Sequence, residues 1–304
     1  PAQPTMLHRL RASWPMAVLT RLECRGLATS SRQRSSEVDI MEYYDRADHY
    51  DVLWGKDNIH SGYYPHLVNR LEVPLTFDQA AMTSTRRLLA LGDVSHRSHV
   101  LDLGCGKGLT CKVIAELTGA QCTGIDLSPT NIGRANALAN EHPHLPLRFL
   151  TGSFIDLPPQ LALTCTHVIA QEAFVYAHVA LPEILEQCRR VLRPGGLVLV
   201  NDFLGADGAV SAETRKAVHD RLGFEVLLGH KAWRRTVDES PLVLHHYENL
   251  DDHMAHAYEQ LAGTAEAHDF RSADGTPLVR NYRDTARAAA NREVGKNIAV
   301  LRAP

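Results

Sequence analysis

The chain has 304 residues, 44% of them hydrophobic and 22% charged, enough to bury a sizeable core in one large domain or two small ones. Its 32 Lys and Arg against 35 Asp and Glu give a formal charge of -3, which leaves no electrostatic footprint for phosphate-driven nucleic-acid binding. No apolar run approaches the roughly 20 residues of a membrane span. The six cysteines form no CxxC pair and no zinc-like spacing, so they read as reduced, mostly buried thiols of an intracellular protein.

Residues 1–36 stand apart from the rest. Arg9, Arg11, Arg21, Arg25, Arg32 and Arg34 accompany several serines, and Glu23 is the lone acid. That composition predicts an organelle transit peptide, mitochondrial or chloroplast, with a disordered basic tail as the alternative. Residues 37–304 carry no repeat, low-complexity run or Gly/Pro-rich linker, so a single domain is expected there.

Within that domain, "MEYYDRADHYDVLWG" (41–55) reads as an aromatic-rich amphipathic helix forming an N-terminal cap. "FDQAAMTSTRRLLALG" (77–92) has apolar residues at helical spacing and ends on a glycine stop. Strands and helices then alternate: "HVLDLG", "AQCTGIDL", "PLRFLTGS", "THVIAQEA" and "GLVLVNDF" as strands, with "LTCKVIAEL", "SPTNIGRANALANE" and "LPEILEQCRRVL" as helices between them. "GFEVLLGHKAW" (223–233) is expected as a further strand, and "NIAVLRA" (297–303) as the last, after a helical insertion from about Pro241 to Arg292. The pattern predicts an α/β fold, a doubly wound, mostly parallel seven-stranded sheet with both faces covered.

The loop after the first strand reads D-x-G-x-G-x-G, with Asp102 two residues before Gly104, then Gly106 and Gly108. A dinucleotide fingerprint would need glycine where Leu109 stands, which disfavours a nicotinamide oxidoreductase. A carboxylate at the strand end repels a pyrophosphate and suits an α-amino group. The glycines are expected to let a nucleoside lie on the backbone. Asp126 ends the second strand, 20 residues beyond Gly106, placed for both hydroxyls of a ribose. Amino-acid head, ribose and no phosphate together describe S-adenosylmethionine.

"VLDLGCGKG", "GIDLSP" and "VLRPGGLVLVND" in this order resemble the class I S-adenosylmethionine-dependent methyltransferases, with their Rossmann-like sheet. The resemblance implies that Asp102, Gly104, Cys105, Gly106, Asp126 and Leu127 hold the donor, with Ser153 and Phe154 from "TGSFIDLPP" on the adenine side. Gln171 and Glu172 face the methyl centre. "QEAF" lacks the N/D-P-P-Y/F of nucleic-acid amino methyltransferases, which points to a small-molecule acceptor.

"YYDRADHYDVLWGKDNIHSGYY", "QEAFVYA" and "LVLHHY" further resemble the sarcosine/dimethylglycine N-methyltransferases of glycine betaine synthesis, and more loosely the tocopherol methyltransferases. That resemblance implies that Trp54, Ile59, His60 and Gly62 close over the donor and that His245, His246 and Tyr247 lie near the acceptor. His60, Tyr63, Gln171, Glu172 and His246 are then the catalytic candidates, and Tyr43, Tyr44, Tyr176 and Tyr247 line the acceptor. Onium products favour such aromatic faces. An acceptor carboxylate needs a cation, for which Arg234, Arg235 and Arg280 are candidates. A departure accompanies this: only about 15 residues separate "NDFLGADG" from "LGFEV", shorter than the helical insertion of that family.

A thioether acid such as 4-methylthio-2-hydroxybutyrate satisfies the same chemistry, being S-methylated toward dimethylsulfoniopropionate. A catalytically silent donor-binding module is the alternative from another class. His253 and His256, three apart on one helix, raise a metal site that no second cluster completes, so no metal is expected. Nitrogen or sulfur as methyl acceptor, and monomer or homodimer, stay open.

Overall fold

The computed structural model of the chain describes residues 53–54, 60–271 and 275–304. The transit-like segment 1–36, Cys24, most of the cap helix with Tyr43, Tyr44 and Tyr50, and Ile59 lie outside the described residues.

Helix α1 (Phe77–Leu91) opens with a capping box in which Thr76 and Gln79 satisfy each other's backbone donors, and it closes at Gly92. Then β1 (His99–Leu103), α2 (Leu109–Thr118), β2 (Gln121–Asp126), α3 (Pro129–Glu141), β3 (Leu147–Thr151) and β4 (Cys165–Gln171) alternate. Ser128 caps α3 through its hydroxyl to Asn131 N, with proline in the first turn where its missing N–H is harmless. A 3-10 turn (Phe174–Ala180) leads into α4 (Leu181–Val191) and the long β5 (Leu192–Gly205). After it come a short helical segment over residues 212–220, α5 (His230–Asp238), β6 (Val243–Asn249), α6 (Asp251–Ala267), α7 (Leu278–Ala290) and β7 (Val294–Arg302).

The seven strands make one sheet in the order β3-β2-β1-β4-β5-β7-β6. All neighbours run parallel except β7, which is antiparallel to both β5 and β6. Successive side chains on a strand point to opposite faces, so Val100 and Leu101 enter different cores. One core joins Leu101, Leu103, Val168 and Val200 to α4 residues Leu181, Ile184 and Leu185 and to Trp233 of α5. The other joins Val100, Ile169, Leu199 and Val300 to Leu88 of α1, Ile114 of α2 and Ile132 of α3. The order reverses at β1/β4, so the loops after β1, β2 and β4 open together at the carboxyl ends of the strands, where ligands bind in such sheets.

Residues 223–233 are not a strand. Phe224 is buried, Glu225 and Val226 are exposed, and α5 begins at His230, leaving a single bridge between Gly205 and Gly229. A short apolar run does not by itself separate strand from buried loop. The sixth strand is instead Val243–Asn249, an edge strand whose mixed exposure hid it inside the expected helical insertion. The β5–β6 connection therefore spans residues 206–242, and the expected shortening after Phe203 disappears. Cys105, Cys111, Cys122, Cys165 and Cys188 are free and buried. No helix among the described residues is long and apolar enough to cross a membrane.

Candidate functional site

The glycine loop is tied to the neighbouring strand through its backbone. Gly104 N and Cys105 N both donate to Ile125 O, at 2.8 and 3.0 Å. Gly106 N donates to Asp126 Oδ2 and Ser128 N to Asp126 Oδ1, each at 2.9 Å. These two bonds orient the Asp126 carboxylate at the end of β2.

All three loop glycines have positive φ, at +77°, +52° and +83° for Gly104, Gly106 and Gly108. Their reasons differ, which corrects the expectation that all three clear space for a ligand. A Cβ on Gly104 would stand 2.7 Å from the Ala173 methyl, and one on Gly108 would stand 2.6 Å from the Phe149 ring. Both are required by the protein's own packing. A Cβ on Gly106 would meet nothing within 4 Å, so this glycine alone opens onto unfilled space.

Asp102 is buried, and its Oδ2 receives the Cys111 thiol at 3.4 Å. Burial pushes its carboxyl up to about 7; the thiol opposes the rise and the nearby Asp126 adds to it. Cys105 is buried beside Gly124, and burial pushes its thiol well above the ordinary range. Leu127 is half-buried between the Asp126 carboxylate and the α3 cap. Ser153 Oγ accepts from Ile155 N at 3.3 Å. Phe154 lies edge-on to Phe174, with its ring 3.9 Å from where a Gly104 Cβ would be.

At the end of β4, Glu172 takes a left-handed backbone, φ +50°, uncommon outside glycine and a mark of a position held by its surroundings. Its Oε1 accepts from Ser61 N at 2.9 Å, from Ser61 Oγ at 2.5 Å and from the Lys296 ammonium. Lys296 Nζ also donates to Ser61 O at 2.8 Å and Ser61 Oγ at 2.6 Å. The lysine side chain is 1% exposed and the glutamate 13%. Burial works to raise the Glu172 carboxyl, but Lys296 and the Ser61 donors overcome it and leave it below its ordinary value. Burial lowers the Lys296 ammonium, and Glu172 opposes that fall.

A second chain of bonds fixes His60. Asn201 Nδ2 donates to Gln171 Oε1 at 3.4 Å and Gln171 Nε2 to Thr85 Oγ1 at 3.3 Å. Thr85 Oγ1 lies 3.2 Å from His60 Nε2, and His60 Nδ1 lies 3.3 Å from Ser61 O. A carbonyl can only accept, so Nδ1 carries the proton and Nε2 accepts from Thr85. Burial, reinforced by Lys296, lowers the His60 pKa to about 4, so the ring is neutral near pH 7.

An aromatic wall faces this cluster. Trp54 donates its indole N–H to the Tyr282 hydroxyl at 3.1 Å and packs edge-on to Phe77, Tyr258 and Tyr282. Tyr176 and Phe203 both pack on Phe224, 5.4 and 5.2 Å between centroids. The fully buried Tyr258 hydroxyl is raised first by burial and then by the Glu172 charge, with Arg221, Tyr282 and Tyr176 also within electrostatic reach.

The structure thus brings together Trp54, His60, Gln171, Glu172 and Tyr176 on one side, and Asp102, Gly104, Cys105, Gly106, Asp126, Leu127, Ser153 and Phe154 on the other. Four further candidates are engaged elsewhere. Tyr63 is stacked on His253 at 4.6 Å with Arg87 over its ring. His246 pairs with Glu248, which also receives Arg87. Tyr247 bonds His230 Nδ1 at 2.6 Å. Arg234 is exposed and lies over the Tyr247 ring. The last three sit on or beside β6, three strands and about 14 Å from β4. Arg235 and Arg280 are exposed and pair with Glu239 and Asp284. His253 Nδ1 accepts from Tyr64 N at 2.8 Å, and no metal-holding group of three His, Cys, Asp or Glu occurs among the described residues.

Ser61, Thr85, Asn201, Arg221, Tyr258, Tyr282 and Lys296 were not singled out from the sequence. Lys296 left a signal, a lone charge at the head of the apolar run "NIAVL". The others are ordinary residue types placed by the fold.

Residues 100–196 match the family described as "Methyltransferase domain". The glycine/sarcosine/dimethylglycine N-methyltransferase of Actinopolyspora halophila is 26% identical over 75% of this chain, which spans only 40% of that relative's length. The sarcosine/dimethylglycine N-methyltransferase of Halorhodospira halochloris is 25% identical over 72% of the chain and 73% of its own. A crystal structure from Galdieria sulphuraria, provisionally described as a sarcosine dimethylglycine methyltransferase, superposes with a TM-score of 0.71 at 20% identity, covering 87% of this chain and 98% of that one.

The residues present fit S-adenosylmethionine as the methyl donor. Gly106 borders open space, the Asp126 carboxylate is oriented at the strand end for a ribose, and Asp102 offers a carboxylate for an ammonium.

Proposed function

We propose that this chain, a class I methyltransferase by its domain match and its sheet, methylates a small acceptor that carries a carboxylate and reacts through a lone pair on nitrogen or sulfur, with dimethylglycine, entering as its free amine after giving its ammonium proton to water, the acceptor that fits best. When bound, S-adenosylmethionine supplies an electrophilic methyl group on a sulfonium. The chain's own contribution is to hold, orient and dehydrate the two partners of an in-line displacement.

The observation that carries this reading is how the two groups best placed as bases are occupied. Both His60 ring nitrogens are engaged, and Glu172 is held charged by Lys296 and Ser61. An acceptor that loses a proton as it reacts needs a base on the protein, whereas a tertiary amine that enters as the free amine needs none. The product is a permanent cation, which the faces of Trp54, Tyr176, Tyr258 and Tyr282 suit. Asp126 holds the donor ribose and Asp102 its ammonium. Relatives named for glycine, sarcosine and dimethylglycine N-methylation support the acceptor class.

A thioether acid such as 4-methylthio-2-hydroxybutyrate also needs no base and yields an onium, so the occupied His60 and Glu172 support it as the second reading. The test is transfer of labelled methyl to sarcosine, dimethylglycine, 4-methylthio-2-hydroxybutyrate and a tocopherol precursor. Dimethylglycine is expected to be the best of the four. Transfer to none of them, with the donor bound, overturns the reading.

A further inference from the structure

Arg221 follows the helical segment after β5 and is partly buried. Its Nε donates to Ala217 O at 2.8 Å and its Nη2 to the Thr285 hydroxyl at 3.0 Å. Thr285 is fully buried on α7, one turn beyond Tyr282. Three residues after Arg221, Phe224 packs against Tyr176 and Phe203. The guanidinium therefore sits at the margin of the aromatic wall, held by two neutral acceptors that fix its plane. Of the partly buried arginines among the described residues, Arg87 pairs with Glu248, whereas Arg189, Arg190 and Arg221 have no carboxylate, and of these three it is Arg221 that stands within electrostatic reach of Tyr258 in the aromatic wall. Among the described residues, no carboxylate lies within salt-bridge distance of Arg221. A guanidinium has five N–H donors in a planar fork that matches a carboxylate, and two of them are used here. An oriented, partly desolvated cation without a counter-charge is costly unless a ligand supplies the anion.

We propose that Arg221 is the anchor for the acceptor's carboxylate and so sets specificity for anionic acceptors. This rests on the small-acceptor reading above and replaces the exposed Arg234, Arg235 and Arg280 in that role. The carboxylate docks on the free edge of the guanidinium, and Thr285 holds the other edge. The acceptor nitrogen or sulfur then lies against the tyrosine faces between Arg221 and Glu172. Charge balance also follows. The methyl group leaves the sulfonium as the new bond to nitrogen or sulfur forms, the donor becomes a neutral thioether, and the anionic acceptor becomes a zwitterion of no net charge whose carboxylate stays on Arg221.

The test compares the full-length protein with Arg221→Gln, Arg221→Lys and Thr285→Val. The readouts are dimethylglycine methylation, methylation of the uncharged dimethylglycine methyl ester, and donor affinity by calorimetry. Arg221→Gln is expected to raise KM for dimethylglycine by about thirtyfold, the loss of one charge-assisted contact, with kcat and donor affinity changed little. Its preference for the acid over the ester should collapse. Arg221→Lys should recover part of the loss, and Thr285→Val should raise KM by a smaller factor. Wild-type turnover of dimethylglycine with an unchanged acid-to-ester ratio in Arg221→Gln overturns the anchor and leaves the reading of the reaction standing. Loss of donor affinity in the same variant assigns Arg221 to the fold and also overturns it. A wild-type protein that binds donor but methylates neither compound overturns both.

Discussion

Replacing Lys296 by methionine keeps the length of the side chain and removes its charge. Glu172 then keeps the two Ser61 donors but loses its ammonium inside a closed site. Breaking a buried pair from one side costs about 3–5 kcal/mol, because the remaining charge is uncompensated. The Ser61 bonds place the expected loss near the lower end, about 3 kcal/mol at pH 8. The pH dependence should reverse. In the wild type the Glu172 carboxyl lies below its ordinary value, so its contribution is present above about pH 4.3 and is lost as pH falls through the folded value. In Lys296→Met, burial is no longer opposed by the ammonium and the carboxyl rises above its ordinary value. The folded variant then binds a proton that the unfolded chain has released, and stability falls with rising pH by up to about 1.4 kcal/mol per unit across that window. Urea unfolding followed by fluorescence of the buried Trp54 and Trp233, from about pH 5 to pH 8, measures this. The double variant Lys296→Met/Glu172→Gln should recover much of the loss at high pH. A single variant with no pH trend, or a double variant no more stable than the single, would refute the reasoning.

The loop glycines separate stability from binding. Gly108→Ala should cost about 3 kcal/mol, combining left-handed strain with the Phe149 clash, read as a lowered urea midpoint. Gly106→Ala carries only the strain, about 1–2 kcal/mol, and should chiefly lose donor affinity by calorimetry; equal affinity in the two variants contradicts the division. Because the Asp102 carboxyl sits at about 7, the free protein holds a proton there at mildly acidic pH, and an incoming ammonium expels it. Donor binding should weaken as pH falls below about 7 and should release a proton, measured by calorimetry in two buffers of different ionisation enthalpy. Asp126→Ala should abolish donor binding while leaving the urea midpoint little changed, and retained affinity would remove Asp126 from the site.

The strands up to β5 were legible because each is a short apolar run ended by a glycine, an aspartate or a cap, and because each contributes locally to a periodic pattern. The candidate donor loop was legible for the same reason: Asp102 to Asp126 is one contiguous strand–loop–helix–strand unit. The cluster around Glu172 was legible only in part: Trp54, His60, Gln171, Glu172 and Tyr176 were expected there, but Ser61, Tyr258, Tyr282 and Lys296 meet them only in the folded sheet. The sixth strand was misplaced because "GFEVLL" is more apolar than the edge strand "VLHHYEN" that forms it, and an edge strand needs to bury less. That misplacement created a false shortening after Phe203.

Strand β7 follows β6 in the chain yet lies between β5 and β6. Until it inserts, β5 and β6 each present an open row of backbone donors and acceptors, and the sheet has a raw edge beside its centre. The pairing that closes this gap joins Gly205 to Val294, and the ammonium that completes the site reaches a serine 235 residues away. Such closure is slow relative to the local strand–helix units. The donor loop is thus expected to form early and the acceptor side late, so the folding chain passes through a species that holds its donor motif intact beside an exposed, adhesive sheet edge.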